Sequence, residues 1–313
     1  MTISQADADR ARQSMRRRKI RKNIVGYLYI APVLLGILIF TAFPVIYAFV
    51  CSLFDVRLGE YKFVNFGLQN YLKPFQAGLD GTLFWNSLKV TFKYALINIP
   101  LTLALSFALA VFLNQKLAGM RFFRTLYYLP VLIPAVCYGL IWKNITNVDF
   151  GIGNVILEKL GLPPSDWFSQ AKSSMPSFIF IGLFGIGGSM IMWLAQLKNV
   201  PQALYESARL DGANYFVQLF RITIPMCSPM IFYNLIMSLI GTLQMFTQVS
   251  VLTGGSGEEY SLNFYVINIY NTMFNGKAMG YASALSFILF FIIGLLTLLV
   301  FKTNKWVYYG DEG

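Results

Sequence analysis

Glu206, Ser207 and Ala208 are followed by Gly212 after three residues, and by Ile222, Thr223, Ile224 and Pro225 after nine more. This polar stretch lies between two long apolar segments, and its chemistry is that of docking. Glu206 and Arg209 offer ionic contacts at the rim of a short helix on which Leu204 and Ala208 share a face that a partner groove can bury. Catalytic chemistry has little to draw on. The sequence contains no histidine, which excludes His-based catalysis, His-metal sites and Ser-His-Asp triads within this chain. Cys51, Cys137 and Cys227 fall in or at the edge of apolar segments without metal-ligand spacing, so buried, reduced thiols are expected. No catalytic or metal site is expected.

The local pattern predicts how that stretch is held. Pro201 suits the first turn of a helix that runs through Glu206 to about Leu210, and Gly212 supplies the permissive backbone that ends it. A second short helix is expected from near Asn214, presenting Phe216, Leu219 and Phe220 before Pro225 opens the next apolar segment. An amphipathic helix lying on lipid is the competing reading, and the acidic Glu206 and Asp211 weigh against it.

The flanking elements are membrane spans. Of the 313 residues, 56% are hydrophobic and only 12% charged, a composition outside the range of ordinary soluble domains. Six segments, near 25–51, 88–114, 122–143, 177–197, 223–250 and 281–302, can each cross about 30 Å of hydrocarbon as a helix of roughly 20 residues. Lys and Arg occur in them only at the margins (Lys89, Lys93, Arg124), and Asp, Glu and His are missing from every core. Proton relays use such residues, so a proton-coupled mechanism lacks its parts.

Basic residues set the orientation, because Lys and Arg near span ends stay on the cytoplasmic side. The tail holds Arg10, Arg12, Arg16, Arg17, Arg18, Lys19, Arg21 and Lys22, and the loops with Lys116, Arg121, Lys198 and Arg209 share its side with Lys302 and Lys305. An even number of spans then places both termini inside a bacterial cell membrane. The net charge of +11 sits mostly in the tail, residues 1–24, where anionic membrane lipid is the expected partner and nucleic acid is not. The longer outer loops, near 52–87, 144–176 and 251–280, leave room for an external protein contact.

Two features inside the spans bear on a pathway. Pro32, Pro44, Pro100, Pro130, Pro134, Pro225 and Pro229 free backbone carbonyls that neighbours or a cavity must satisfy, although proline is also simply commoner in membrane helices. Gly182, Gly185, Gly187, Gly188 and Ser189 give the fourth span a surface for close packing, or for a ligand beside the backbone. Asn234, Ser238, Thr242 and Met245 recur at three- or four-residue spacing in the fifth span, a stripe that either lines a path or bonds to neighbouring helices.

The stretch from Glu206 resembles the cytoplasmic coupling loop of binding-protein-dependent ABC importer permeases: Glu-Ala-Ala, three residues, Gly, nine residues, then Ile-x-Leu-Pro. Glu206, Ala208, Gly212, Ile222 and Pro225 match with both spacings kept, while Ser207 replaces the middle Ala and Ile224 replaces Leu. Asn86-Ser87-Leu88, the run Phe123 to Pro130, Leu140-Ile141-Trp142 and Leu252-Thr253-Gly254-Gly255 are similar to the carbohydrate-uptake branch. The ending Trp306-Val307-Tyr308-Tyr309 is similar to the maltose-permease F and glycerol-phosphate-permease A type. The resemblance covers roughly residues 80–310.

It implies an all-α membrane protein with the six-transmembrane-helix fold of an ABC type I importer permease, spanning 25–310 with a coupling loop at 198–222. It assigns ATPase coupling to Glu206, Ala208, Gly212, Ile222 and Pro225, with the acidic Asp211 of the same loop added. It assigns the substrate path to Gly185, Gly188, Ser238, Thr242 and Met245, with Asn234 added from the periodic stripe. No Gly-x-x-x-x-Gly-Lys-Ser/Thr run is present, so ATP and Mg are expected on two separate ATPase subunits and no cofactor on this chain. A second permease forming a heterodimer, an extracytoplasmic solute-binding protein and a carbohydrate substrate complete the expected system. The alternatives are an ABC importer permease for another solute (polyol phosphate, amino acid or peptide) and a secondary transporter, which would need inverted repeats and ionisable midplane residues.

Overall fold

The computed structural model describes residues 22–308 except Tyr61 and Lys116. The basic tail up to Arg21, Lys116 and Tyr309 therefore lie outside the described residues. Among the described residues three helices are long and apolar enough to cross a membrane unbroken, and three bent helix pairs each pass the same test of length and composition together. The straight ones are α1 (Lys22–Ser52), α2 (Leu79–Leu113) and the last helix, Met279–Lys302. The bent ones pair α3 (Met120–Tyr128) with α4 (Ala135–Ile145) at 99°, α5 (Ala171–Gly182) with α6 (Gly187–Asn199) at 44°, and, beyond α7 (Gln202–Leu210), α8 (Tyr215–Met226) with α9 (Ser228–Leu243) at 64°. The last helix is α10. Each of the six predicted segments overlaps one of these, although some ends differ.

Two of the bends lie at proline and one at glycine. Pro134 precedes α4 with ψ 140, and Pro225 and Pro229 flank the break at Cys227. The break between α5 and α6 falls at Ile186, inside the glycine-rich run. Pro100 differs from expectation: it lies within α2 and leaves its 35 residues continuous. The neighbours of α2 hold it as one rod, because its buried face repeats with helical spacing through Ser87, Thr91, Tyr94, Asn98, Ser106, Ala110 and Leu113. Small and polar residues on that face let helices approach closely. Trp193 of α6 donates its indole N–H to Ser106 Oγ at 3.0 Å, a membrane hydrogen bond worth about 0.6 kcal/mol.

Carbonyls freed at the breaks find side-chain donors on other helices, as apolar surroundings demand. Gln196 Nε2 of α6 donates to the carbonyl of Met226 at 3.1 Å, beside the break at Cys227. Tyr138 of α4 donates its hydroxyl to the carbonyl of Ile181 at 2.7 Å, beside the glycine break. Tyr138→Phe removes this bond between helices and leaves the carbonyl to the Leu183 N–H alone, and is expected to destabilise the protein by about 1 kcal/mol. A lowered thermal midpoint in detergent checks this; an unchanged midpoint would mean that another donor replaces the hydroxyl.

Among the described residues, buried side chains gather in three clusters. One joins Tyr94, Tyr138, Phe178, Leu252 and Phe264 in the half of the bundle remote from the coupling loop. Another joins Leu113, Met120, Met190, Trp193, Leu197 and Cys227 beside that loop. A third packs Phe84 and Tyr265 on Tyr281 and Leu285 of α10. The ending Trp306-Val307-Tyr308 returns to α9, where Tyr308 N donates to Ser228 Oγ at 2.8 Å and Val307 is buried.

Three expectations need correction. Cys51 and Cys227 are buried, but Cys137 is exposed, because α4 turns that face away from the bundle. The fifth span starts earlier, at Tyr215, and its helix stops at Leu243, well short of residue 250. The chain turns there at Phe246 (φ −141) so that the short helix Thr247–Thr253 can lay Val251 against Gly139 of α4. α1 is the least covered span: Tyr29 and Phe40 are about four-fifths exposed, so lipid or another chain must cover its N-terminal half.

Candidate functional site

The coupling stretch folds as its local sequence dictates. Pro201 (φ −59, ψ 128) stands just before α7, one step earlier than the first turn expected for it. At the other end Gly212 takes φ +80, Ala213 N donates to the carbonyl of Ala208 at 2.8 Å and Gly212 N to that of Arg209 at 3.1 Å. This pair of reversed bonds closes a helix on a left-handed glycine. Asn214 then caps α8, its side-chain oxygen accepting from Val217 N at 2.9 Å. Two helices meeting at a bend are thus set by residues a few positions apart.

What fixes the bend to the bundle is tertiary. The Tyr205 hydroxyl lies 2.9 Å from Thr223 Oγ1, which donates to the carbonyl of Gln218 at 3.3 Å. Gln218 Nε2 donates to the carbonyl of Ala213 at 2.8 Å. The chain of bonds locks α7, the turn after Gly212 and α8 into one piece. Val200, buried at the junction of α6 and α7, ties that piece to the fourth span. Tyr205, Thr223 and Gln218 have no signal in the motif; only the three-residue spacing of Tyr205 and Ala208 shows that they share the covered side of α7.

The structure brings Glu206 and Arg209 to one cavity of about 1080 Å³, with Arg121, Arg124 and Lys198 on its walls. Arg124 also caps α2, its Nε and Nη2 donating to the carbonyl of Leu113 at 3.1 and 2.5 Å. Ala208 is half-buried toward the bundle, Ile222 packs on the cluster around Trp193, and Asp211, Gly212 and Pro225 are exposed. Leu204 remains exposed, so it does not share the cover given to Ala208. Leu210 is 90% exposed and stands with Phe216 and Phe220 as uncovered apolar surface around the bend. Such surface on a charged rim has the composition of a docking patch. No group of three or more His, Cys, Asp or Glu side chains suited to a metal occurs among the described residues.

The predicted path residues divide between covered and open positions. Asn234 is buried and bonds within its own helix, Nδ2 to the carbonyl of Met230 at 2.9 Å. Thr242 is buried, Ser238 half-buried, and Met245 lies beyond the end of α9 against the Tyr94 cluster. The adjoining stripe of Tyr233, Met237, Gly241 and Gln244 is uncovered. Periodicity alone cannot tell which of two neighbouring stripes the bundle covers, so the sequence carries no signal for the second. Open space adjoins Gly185, and Gly188 touches only Val131, while Gly187 is pressed against the backbone of Tyr127 and Tyr128.

Residues 101–307 match the family described as Binding-protein-dependent transport system inner membrane component. The whole chain is 35% identical to the Probable ABC transporter permease protein YesP of Bacillus subtilis, covering 99% of that protein. It is 32% identical to the Trehalose/maltose transport system permease protein MalF of Thermococcus litoralis, with 92% of this chain and 96% of that protein aligned. A likeness of 32% extends over 90% of this chain and 89% of the Arabinooligosaccharides transport system permease protein AraP of Bacillus subtilis. In three dimensions the chain resembles a chain of a bacterial alginate ABC transporter crystallised with an alginate pentasaccharide-bound periplasmic protein. That match has a TM-score of 0.78 at 22% identity over 92% of this chain and 96% of the other.

Proposed function

Because the chain belongs to the family of binding-protein-dependent transport system inner membrane components, we propose that it carries a sugar or oligosaccharide across the membrane as one permease of a heterodimeric ATP-driven importer. The observation that carries this reading is the locked piece formed by α7, its glycine turn and α8. A partner gripping Leu210, Phe216 and Glu206 from the cytoplasm moves α6 and α9 together, since each is joined to that piece without a flexible linker. Breaks at Ile186 and Cys227 lie in the two spans so driven. Rigid-body rocking about such breaks alternates access from one side of the membrane to the other.

In this system ATP and Mg belong to two separate ATPase subunits, and an external binding protein delivers the substrate. The cationic wall of Arg121, Arg124, Lys198 and Arg209 supports a cytoplasmic position for the coupling loop and for both termini. Gly185, Gly188, Ser238 and Thr242, with the uncovered Tyr233, Met237, Gly241 and Gln244, form the half of the sugar path contributed by this subunit. Relatives named for trehalose and maltose, arabinooligosaccharides and lactose support a carbohydrate cargo.

The test is ATPase stimulation of the reconstituted complex by its binding protein across a panel of neutral mono- and oligosaccharides. At least one sugar is expected to raise turnover severalfold. Stimulation by amino acids, peptides or phosphate alone, with none by any carbohydrate, would overturn the substrate class.

A further inference from the structure

We propose that the groove between α2 and α5, at the end of the bundle remote from the coupling loop, binds the headgroup and an acyl chain of an anionic phospholipid. This cavity of about 750 Å³ is bordered by Lys89 and Lys93 of α2 and by Lys172 of α5, with Ile97, Ile179 and Leu183 on its walls. Both helices run from the lysines toward the middle of the bundle, so the cations stand at the mouth and the carbon side chains lie deeper. Depth follows from helix geometry. The twenty residues from Lys93 to Leu113 rise about 30 Å, the thickness of a hydrocarbon core. The Leu113 carbonyl is held by Arg124 at the coupling-loop cavity, so Lys89 and Lys93 reach the opposite boundary of the membrane, where lipid headgroups lie.

Two charge placements here are unfavourable without an anion. Lys89 and Lys93 repel at four-residue spacing on one helix face. Lys172 lies in the first turn of α5, at the positive end of its dipole. Among the described residues no carboxylate borders the cavity. A phosphodiester at the mouth relieves both, and Ser261 Oγ, a buried hydroxyl without a hydrogen-bond partner, borders the same space. An acidic glycan would satisfy the lysines too, but it needs polar partners along its length, and the deeper wall offers aliphatic side chains that suit a hydrocarbon chain.

The assembled importer, delipidated in detergent, is titrated with dioleoylphosphatidylglycerol while native mass spectrometry counts lipid retained on this subunit. Combining Lys89→Gln, Lys93→Gln and Lys172→Gln should weaken the tightest site on the order of 100-fold, roughly fivefold per cation. The three Lys→Arg replacements should keep it, and dioleoylphosphatidylcholine should bind the wild type no better than the Gln variant. If the triple Gln variant does not assemble, Lys93→Gln alone should show the fivefold loss. Equal phosphatidylglycerol binding by wild type and Gln variants overturns the proposal. So does glycerol phosphate binding as tightly as the whole lipid, or displacement of the lipid by equimolar trigalacturonate.

Discussion

Glu206→Lys is expected to leave the permease inserted in the membrane while an ATPase subunit no longer copurifies with it, and uptake should fall by roughly tenfold or more. Glu206 is exposed and makes no ion pair among the described residues, so its charge does not hold the fold. The side of α7 that does hold the fold carries Tyr205, bonded to Thr223, and the substitution leaves that bond alone. What changes is the cavity wall. Arg121, Arg124, Lys198 and Arg209 line the same cavity as Glu206, the one carboxylate among its described lining residues, and a fifth cation there removes the acidic contact that this wall offers a partner. Copurification from membranes and uptake in whole cells read the two consequences separately. ATPase retention and uptake at wild-type levels would remove Glu206 from the docking surface.

Helix signals written within a few residues were legible before the structure. Leu210, Gly212 and Asn214 announced the end of α7 and the start of α8, because a left-handed glycine and an Asn cap act through neighbouring backbone groups. The six spans were legible too, since crossing hydrocarbon fixes both length and composition. The clamp of Tyr205 on Thr223 was not, because the two residues are brought together only when α7 folds back on α8. The end of α9 at Leu243 depends on Val251 finding Gly139 across the bundle, a contact with no mark in the local pattern. Pro100 shows the converse: a strong local breaker was overridden by the helices packed around α2. The stripe from Asn234 to Met245 had the right period, but covered and uncovered faces of α9 differ by a single position, and only the packing separates them.

The glycines of the fourth span provide the sharpest separation of packing from transport. A Cβ on Gly187 would drive into the carbonyl oxygen of Tyr127 and stand 3.2 Å from the Cα of Tyr128, and both neighbours are backbone, which cannot swing aside. Gly187 is also where the break between α5 and α6 meets the bent third span, so relief would have to move whole helices. Gly187→Val is therefore expected to destabilise the protein by about 3 kcal/mol, the upper end for overpacking, and to reduce recovery of assembled complex. Gly185→Ala meets open space and Gly188→Ala only the flexible side chain of Val131, at 3.7 Å, so both variants should assemble normally. If Gly185 and Gly188 border the sugar path, each added methyl group narrows it and lowers uptake of the larger oligosaccharides more than that of the smaller, with complex yield unchanged. Normal uptake of every sugar by both alanine variants would take these two glycines out of the path. Full assembly of Gly187→Val would show that the two bent spans do not rest on each other there, and that the break at Ile186 moves independently of α3.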